Sequence, residues 1–213
     1  DPFDPPDWFP NEHPPMPDIV ARGGQRPAGR ACAQCHLPSG DGHPESASLA
    51  GLNAHYIIRQ MAAFKNGERK GVRAGVMIAM AKVLTDAEVK AAADYFASLK
   101  PTRGYNNVIE SDKVPATYVG AGGMRFALTD GVYEPVGDRI IVLPHNVERA
   151  VLRDPKSGFT DFVAKGSIAK GAALAAGVRC LLVSGRPAPV YPVPGAGGLA
   201  EQLSGREVEV LQH

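Results

Sequence analysis

The sequence predicts a mainly α-helical domain followed by a segment rich in β-hairpins. Two amphipathic patterns before Pro101 predict the helical part, because apolar residues recur there at three- and four-residue spacing. Short β-prone runs separated by glycine, proline and aspartate follow Pro101 and predict the hairpins. A chain of 213 residues, 44% of them hydrophobic, can bury one sizeable core or two small ones, so one or two domains are expected.

The first 18 residues predict an extended arm. The stretch DPFDPPDWFPNEHPPMPD holds seven prolines and shows neither the helical nor the strand period. It also lacks the charged and then apolar order of a secretory leader, so an exported protein would have lost its signal before this numbering begins. No apolar run approaches the roughly 18 residues that a membrane-crossing helix needs.

Charge excludes some partners. The formal net charge is +1 and no long block of like charges occurs, so neither nucleic acid nor an anionic membrane surface is an expected partner. Two of the three cysteines lie in one pentapeptide, so the sequence does not predict a disulfide framework.

The first amphipathic helix is predicted between two local signals. Asn53 can cap its N-terminus and Gly67 can end it. The positions that recur at helical spacing are Tyr56, Ile57, Gln60, Met61 and Phe64.

The second helix carries a capping box. Thr85 is the N-cap, Glu88 stands three residues later, and Pro101 stops the helix. Its apolar stripe comprises Val89, Ala92, Ala93, Phe96 and Leu99.

The part after Pro101 has a different character. The β-prone runs cover residues 117–119, 124–128, 139–143 and 150–153. Residues 168–177 predict one further helix.

The pentapeptide CAQCH predicts a covalently attached haem. Its cysteines, Cys32 and Cys35, lie three residues apart, so one helical turn brings both thiols to the same face. The thiols can add to the two vinyl groups of a haem, and His36 is then carried beneath the porphyrin plane with a ring nitrogen at the iron. Zinc would require a second ligand pair and thiol exchange a βαβ context, and the sequence offers neither.

A sixth ligand is expected for an electron-transfer haem, and the candidates are Met61, Met77, Met80, His43 and His55. Met61 falls on a helical stripe, where core packing is the commoner role of methionine. The two histidines are expected to be solvated, one in a loop and one at a helix N-terminus. Met77 and Met80 lie in a weakly patterned stretch, and a loop there can reach over the open haem face.

CAQCH is followed by LAGLNAHYIIRQMAAFKNGERKG, a methionine-bearing stretch and LTDAEVKAAADYFASLKP. Through these motifs residues 19–101 resemble the class I cytochrome c domain of proteobacterial tandem, two-haem periplasmic cytochromes. The resemblance implies an axial methionine a fixed short distance before the Leu-Thr-Asp start of the last helix. Counting back from Leu84 gives Met77 rather than Met80. It further implies that Tyr56 and Phe64, with Tyr95 and Phe96, close the haem crevice.

Two positions depart from the family pattern. Members usually have glycine after the haem histidine, where Leu37 stands, and proline shortly before the Leu-Ala-Gly turn, where Ala47 stands. That proline's carbonyl commonly orients the histidine ring, and such bonds fix its tautomer. Here Pro44 or another carbonyl would have to do so.

The resemblance also predicts a second haem motif, which the sequence does not complete. GSIAKGAALAAGVRC ends at Cys180 and is followed by LLVSG, without a second cysteine or a histidine. One haem is therefore expected. The predicted organisation is an arm (1–18), a cytochrome c haem domain (19–101), a linker and β-rich segment (102–166), and a degenerate or truncated second cytochrome-like region (167–213), whose reading frame could also be altered.

The function predicted from the sequence is periplasmic electron transfer by one haem c, which makes the protein a carrier and not an enzyme. It would exchange electrons with a donor and an acceptor protein, and a membrane-associated respiratory or dehydrogenase complex stays open as a partner. Two alternatives stay open: a peroxidase-like or ligand-binding haem protein with an open sixth position, and a docking subunit in which the haem is a relay.

Overall fold

The computed structural model describes residues 7–71, 74–120 and 123–183. The chain divides into two compact units, Asp1–Ala164 and Lys165–His213. The helical part and the β-rich segment lie together in the first unit. No helix within the described ranges is long and apolar enough to cross a membrane.

Among the described residues before Pro101, five helices occur in the first unit. They are α1 (Asp18–Ala21), α2 (Ala33–His36), α3 (Ala54–Asn66), α4 (Gly75–Val83) and α5 (Asp86–Ser98). Helix α3 packs against α4 and α5, and α1 packs against α2 and α5. Of the predicted arm, residues 7–17 contain no helix or strand.

The two predicted amphipathic helices are present with their predicted caps. The side chain of Asn53 accepts a hydrogen bond from the backbone N–H of His55, and Gly67 ends α3 in the left-handed conformation. Thr85 and Glu88 form a complete capping box at the start of α5. These local bonds satisfy backbone groups that helix ends would otherwise leave unpaired.

Helix α4 corrects the expectation of a loop around Met77 and Met80. The sequence GVMIAMAKV forms nine helical residues that end at Val83, and Leu84 is the C-cap, directly before the cap of α5. Methionine and alanine favour helix, but the run is apolar on almost every side, so it has no polar face to create a visible period.

The helical core is formed by residues from all five helices and from the connections between them. Its buried members are Ile19, Val20, Ala33, Ala50, Ile57, Met80, Leu84, Ala92, Ala93, Tyr95, Phe96 and Leu99.

The described residues of the β-rich segment, which leave out 121–122, form seven short strands and one helix. They are β1 (Asn106–Glu110), β2 (Lys113–Pro115), β3 (Thr117–Val119), β4 (Arg125–Ala127), β5 (Tyr133–Pro135), β6 (Ile141–Pro144), α6 (Val147–Val151) and β7 (Phe159–Val163). Strands β3 and β4 form an antiparallel hairpin, as expected. Strands β2 and β5 pair antiparallel, and a three-stranded sheet has the order β1-β7-β6.

Two features of this segment differ from the hairpin expectation. Strand β1 pairs with β7 in parallel, with Asn106 opposite Phe159. Residues 150–153 were expected to be β-prone, but Ala150 lies in α6, because the Asn146 side chain caps that helix by accepting from the N–H of Arg149.

Two apolar clusters stabilise the β-rich segment. The first, here the Leu37 cluster, comprises Leu37, Tyr105, Met124, Phe126, Ala150 and Phe159. The second, here the Val114 cluster, comprises Val114, Val136, Ile141 and Leu143. Leu37 is the only member of either cluster that comes from the helical part.

The second unit is described as far as Val183 and contains α7 (Ser167–Val183). The predicted helix at residues 168–177 is therefore present and extends further. Cys180 lies in α7, but its side chain is outside the described part. The degenerate region predicted for residues 167–213 lies largely outside the described residues and stays a prediction.

Candidate haem site

The motif CAQCH folds into one turn of helix. The backbone N–H groups of Cys35 and His36 both donate to the carbonyl oxygen of Cys32, at 3.2 and 2.9 Å. This turn brings both sulfurs and the imidazole to the same cavity, as the three-residue spacing predicts.

That cavity is narrow, with a volume of about 60 Å³, and its lining is almost wholly apolar. Helix α3 contributes Ile57 and Met61, and α5 contributes Val89, Ala92 and Phe96. Apolar walls keep water out, which suits a large, mostly apolar ring.

His36 is oriented by a backbone carbonyl. Its Nδ1 lies 2.8 Å from the carbonyl oxygen of Ala47. Because a carbonyl oxygen can only accept, Nδ1 carries the proton and Nε2 keeps its lone pair for a metal. Ala47 thus supplies the acceptor whose source the sequence left open, and Pro44 does not.

The surroundings of His36 favour the state that binds a metal. Burial lowers the pKa of His36, and the bond to Ala47 only partly opposes this effect. The ring therefore stays neutral at physiological pH. The ring of Phe96 packs edge-on against it, with 6.2 Å between the centroids.

The two thiols are free and lie in apolar surroundings. Burial raises the pKa of Cys32 to about 12 and also raises the pKa of Cys35. Both therefore remain protonated at neutral pH, unlike the thiolates that zinc sites and thiol exchange use. No group of three or more potential metal-ligating His, Cys, Asp or Glu side chains occurs in the described ranges.

Met77 and Met80 both line the cavity from α4, one helical turn apart. Met80 is only 6% exposed and belongs to the helical core, whereas Met77 is half-buried at its edge. Met61 lines the same cavity from α3. Three methionine side chains therefore line the same cavity as His36.

The histidines considered as sixth ligands lie elsewhere. His43 does not line the cavity; it is buried, in contrast to the expectation of a solvated side chain, and its Nδ1 pairs with the carboxylate of Glu45. His55 is exposed at the start of α3, as expected.

Tyr56 and Phe64 are not among the residues that line this cavity, and their role in closing the haem crevice stays a prediction. Phe64 is 8% exposed and packs under the guanidinium of Arg69, 4.6 Å from the ring centroid. The residues that α3 does contribute, Ile57 and Met61, are four apart on its apolar stripe. The same periodicity that identified the helix could have identified them.

The residues present fit a haem c. Two thiols stand three residues apart, a neutral imidazole has a free Nε2, methionine sulfurs lie on a neighbouring helix, and the walls are apolar. Together the fold and the cavity define a helical protein built to hold a covalently bound haem.

Comparison with known proteins agrees with this class. The family model described as Cytochrome c matches residues 21–100. Cytochrome c-554(548) of Halomonas halodenitrificans is 35% identical over 68 residues, which cover 32% of this chain and 82% of that protein. The chain belongs to the cytochrome c family.

Longer relatives match over part of their length. A thiosulfate dehydrogenase electron acceptor of Thiomonas intermedia is 36% identical over 88 residues, which cover 40% of this chain and 41% of the relative. The structure of cytochrome c4 from Pseudomonas stutzeri is 30% identical, with a TM-score of 0.35 over 39% of this chain and 45% of that one. The chain thus spans less than half of each.

Family membership confirms the predictions of a class I c-type cytochrome, a covalent haem c and a role in electron transport. It does not test which side chains bind the haem, so the ligand assignments are treated as proposals below.

Proposed function

We propose that this protein transfers single electrons in the periplasm through one haem c, attached to Cys32 and Cys35 and ligated by His36 and Met77. One observation carries the proposal: a single apolar cavity is lined by both thiols, by His36 and by Met77. His36 is already oriented, because its Nδ1 donates to Ala47 and leaves Nε2 for the iron.

The protein side chains supply attachment, ligation and a dry environment. When bound, the haem supplies an iron that alternates between the ferric and ferrous states. Cys32 and Cys35 would hold the ring through thioether bonds, and His36 and Met77 would both bind the iron, which would leave no site for a substrate. Apolar walls exclude water and a thioether ligand stabilises ferrous iron, so both raise the potential.

Electron exchange is expected where the cavity meets solvent. Val76 lines the cavity and is also 52% exposed, so the site comes close to the surface beside α4. A redox partner that docks there would approach the ring without opening the protein.

Met77 is preferred to Met80 as the sixth ligand. The family pattern counts back from Leu84 to Met77, and the burial of Met80 agrees with a packing role. Met77 is half-buried at the cavity wall, so its side chain can move toward the iron without opening the helical core.

One haem per chain is the expected stoichiometry. Residues 167–213 are proposed to be a degenerate second cytochrome-like region, because Cys180 has no partner cysteine or histidine to complete a motif. The relatives named for thiosulfate dehydrogenase suggest the class of donor, a periplasmic dehydrogenase of an inorganic sulfur compound. A periplasmic site follows from the chemistry of attachment, because haem is joined to such motifs outside the bacterial inner membrane.

Spectroscopy of the purified protein tests the proposal. A pyridine haemochrome assay should give one haem per chain, and the ferric spectrum should show the weak band at its red end that marks sulfur ligation. Purified thiosulfate dehydrogenase with thiosulfate should reduce the protein. Two haems per chain would contradict the proposed stoichiometry. A haem that binds carbon monoxide would contradict ligation by both His36 and Met77, and absence of reduction would contradict the proposed donor.

A further inference from the structure

Leu37, the residue directly after His36, has an unusual backbone. Its φ is 63° and its ψ is 155°, a region that is almost restricted to glycine because a Cβ atom is crowded there. A leucine stays in such a conformation only when its surroundings hold it there.

The surroundings of Leu37 lie in the β-rich segment. Its side chain is 1% exposed and is enclosed in the Leu37 cluster, whose other members all follow Pro101 in the sequence. The backbone is therefore held in a strained state by burial of the side chain in a neighbouring core. Because Leu37 is bonded to His36, this burial constrains the turn that carries the imidazole.

A second connection reaches the same histidine through the loop of residues 37–49. The hydroxyl of Tyr105, another member of the Leu37 cluster, donates to the carbonyl oxygen of Gly42 at 2.7 Å. The N–H of Gly42 donates to the carbonyl oxygen of His36 at 3.1 Å. Further along this loop, Ala47 accepts from His36 Nδ1.

The loop is also held from outside at Asp41. Its buried carboxylate accepts from the backbone N–H of Thr102 at 2.9 Å and from the Thr102 hydroxyl at 2.6 Å. Thr102 and Tyr105 both belong to the start of the β-rich segment. These contacts thus connect the β-rich segment to the residue after His36 and to the loop that carries the acceptor Ala47.

We propose that Leu37 is a positioning residue through which the β-rich segment fixes the orientation of the His36 imidazole and, with it, the reduction potential of the haem. This inference rests on the proposed ligation by His36. Partners that orient a metal-bound histidine also set its basicity, and through it the electron density at the metal. The β-rich segment is then part of the redox centre, although none of the residues described in it lines the haem cavity.

If Leu37 only stabilised the fold, its loss would have the same effect as the loss of any other buried residue of the β-rich segment's cores. A residue of the Val114 cluster therefore provides the matched control. Ile141 is as fully buried as Leu37, at 1% exposure, and lies in the β-rich segment whose residues enclose Leu37. Its cluster contains no residue of the loop 37–49. Leu37→Ala and Ile141→Ala should both lower thermal stability, but only the first should disturb His36.

The experiment compares haem-loaded full-length variants by two measurements. Proton NMR in D2O gives the exchange rate of the His36 Nδ1 proton in the ferrous protein, and redox titration gives the midpoint potential. In Leu37→Ala we expect the Nδ1 proton to exchange about tenfold faster or more, with a shifted potential. Leu37→Met keeps the side-chain volume, and Ile141→Ala lies outside the Leu37 cluster. In both variants the exchange rate should stay within about twofold of wild type, and the midpoint potential should not shift.

A milder variant keeps the test decisive if Leu37→Ala does not fold. Tyr105→Phe removes only the hydroxyl that donates to Gly42, and it should also accelerate Nδ1 exchange. Equal exchange rates and potentials in wild type, the folded Leu37 variant and Tyr105→Phe would overturn the inference, as would equal changes in Ile141→Ala. A wild-type protein without covalent haem would instead overturn the proposed function, so the two failures are distinguishable.

Discussion

His36 and Ala47 are joined by a hydrogen bond of 2.8 Å between the imidazole Nδ1 and a backbone carbonyl. The bond links the attachment turn to the far end of the loop that follows it. Since the acceptor belongs to the backbone, the orientation of the ring depends on the path of the loop and not on the identity of residue 47. An alanine can therefore stand where family members usually have proline.

Substitution of Cys35 by alanine should abolish stable holoprotein. The variant loses one of the two thioether bonds that retain the haem, and the apolar cavity then lacks the group that fills it. The ratio of haem to protein after purification measures the effect, and Ser39→Ala, in the loop that follows the attachment turn, serves as the control. A soluble, folded and colourless Cys35→Ala protein would show that the haem is not structural.

Met77→Ala and Met80→Ala should separate ligation from packing. Loss of Met77 should remove the sulfur band from the ferric spectrum, lower the midpoint potential and allow carbon monoxide to bind the ferrous iron. Met80→Ala should keep the band but lower the free energy of unfolding by about 2–5 kcal/mol, because Met80 is a 6% exposed core residue. The reverse pattern would assign ligation to Met80.

Thr85→Ala should destabilise the protein through the N-terminus of α5. The variant loses the hydroxyl that accepts from the N–H of Glu88, and loss of an N-cap costs about 0.5–2 kcal/mol. Urea unfolding measures the change. Thr85→Ser keeps the oxygen and should retain most of the stability, so an equal loss in both variants would contradict a capping role.

Tyr95 should make stability depend on pH at alkaline values. Burial, with a smaller contribution from the charge of Asp7, raises the pKa of Tyr95 to about 12, and its hydroxyl donates to the carbonyl oxygen of Pro38 at 2.6 Å. The unfolded chain releases this proton near pH 10, before the folded protein does. Stability should therefore be fully present below about pH 10 and fall between about pH 10 and 12, by at most about 1.4 kcal/mol per pH unit.

Urea unfolding across this range, with Tyr95→Phe and Tyr118→Phe as a pair, checks the assignment. The phenylalanine at position 95 should flatten the decline and lower stability at neutral pH by about 1 kcal/mol through loss of the hydrogen bond. Tyr118 is 51% exposed, and its substitution should change neither. A decline of unchanged steepness in Tyr95→Phe would assign it to other groups.

Parts of the fold that depend on neighbouring residues could be predicted from the sequence. Asn53 and Gly67 bound α3, and Thr85 with Glu88 begins α5, because each signal acts within one helical turn. Helix α4 could not be predicted, since an apolar run without a polar face has no period. The parallel pairing of β1 with β7 was also missed, because it joins residues far apart in the sequence.

In the candidate site, too, the local features could be predicted and those that depend on the tertiary fold could not. Spacing alone brings Cys32, Cys35 and His36 together, since all three lie on one turn. The acceptor for His36 is a backbone carbonyl, which any residue type can supply, so the sequence did not identify it. The burial of Leu37 was equally hidden, because its partners follow Pro101 and come into contact only through the tertiary fold.

The parallel pairing of β1 with β7 has a consequence for the order of assembly. Phe159 begins β7, pairs with Asn106 and completes the Leu37 cluster, so the enclosure of Leu37 waits for a long-range contact. Local helices form faster than such contacts. We expect the attachment turn, whose hydrogen bonds are local, to form first, while the backbone beside His36 is still free to yield. A haem that attaches at this stage would meet a flexible turn, and the later formation of the sheet would make that turn rigid.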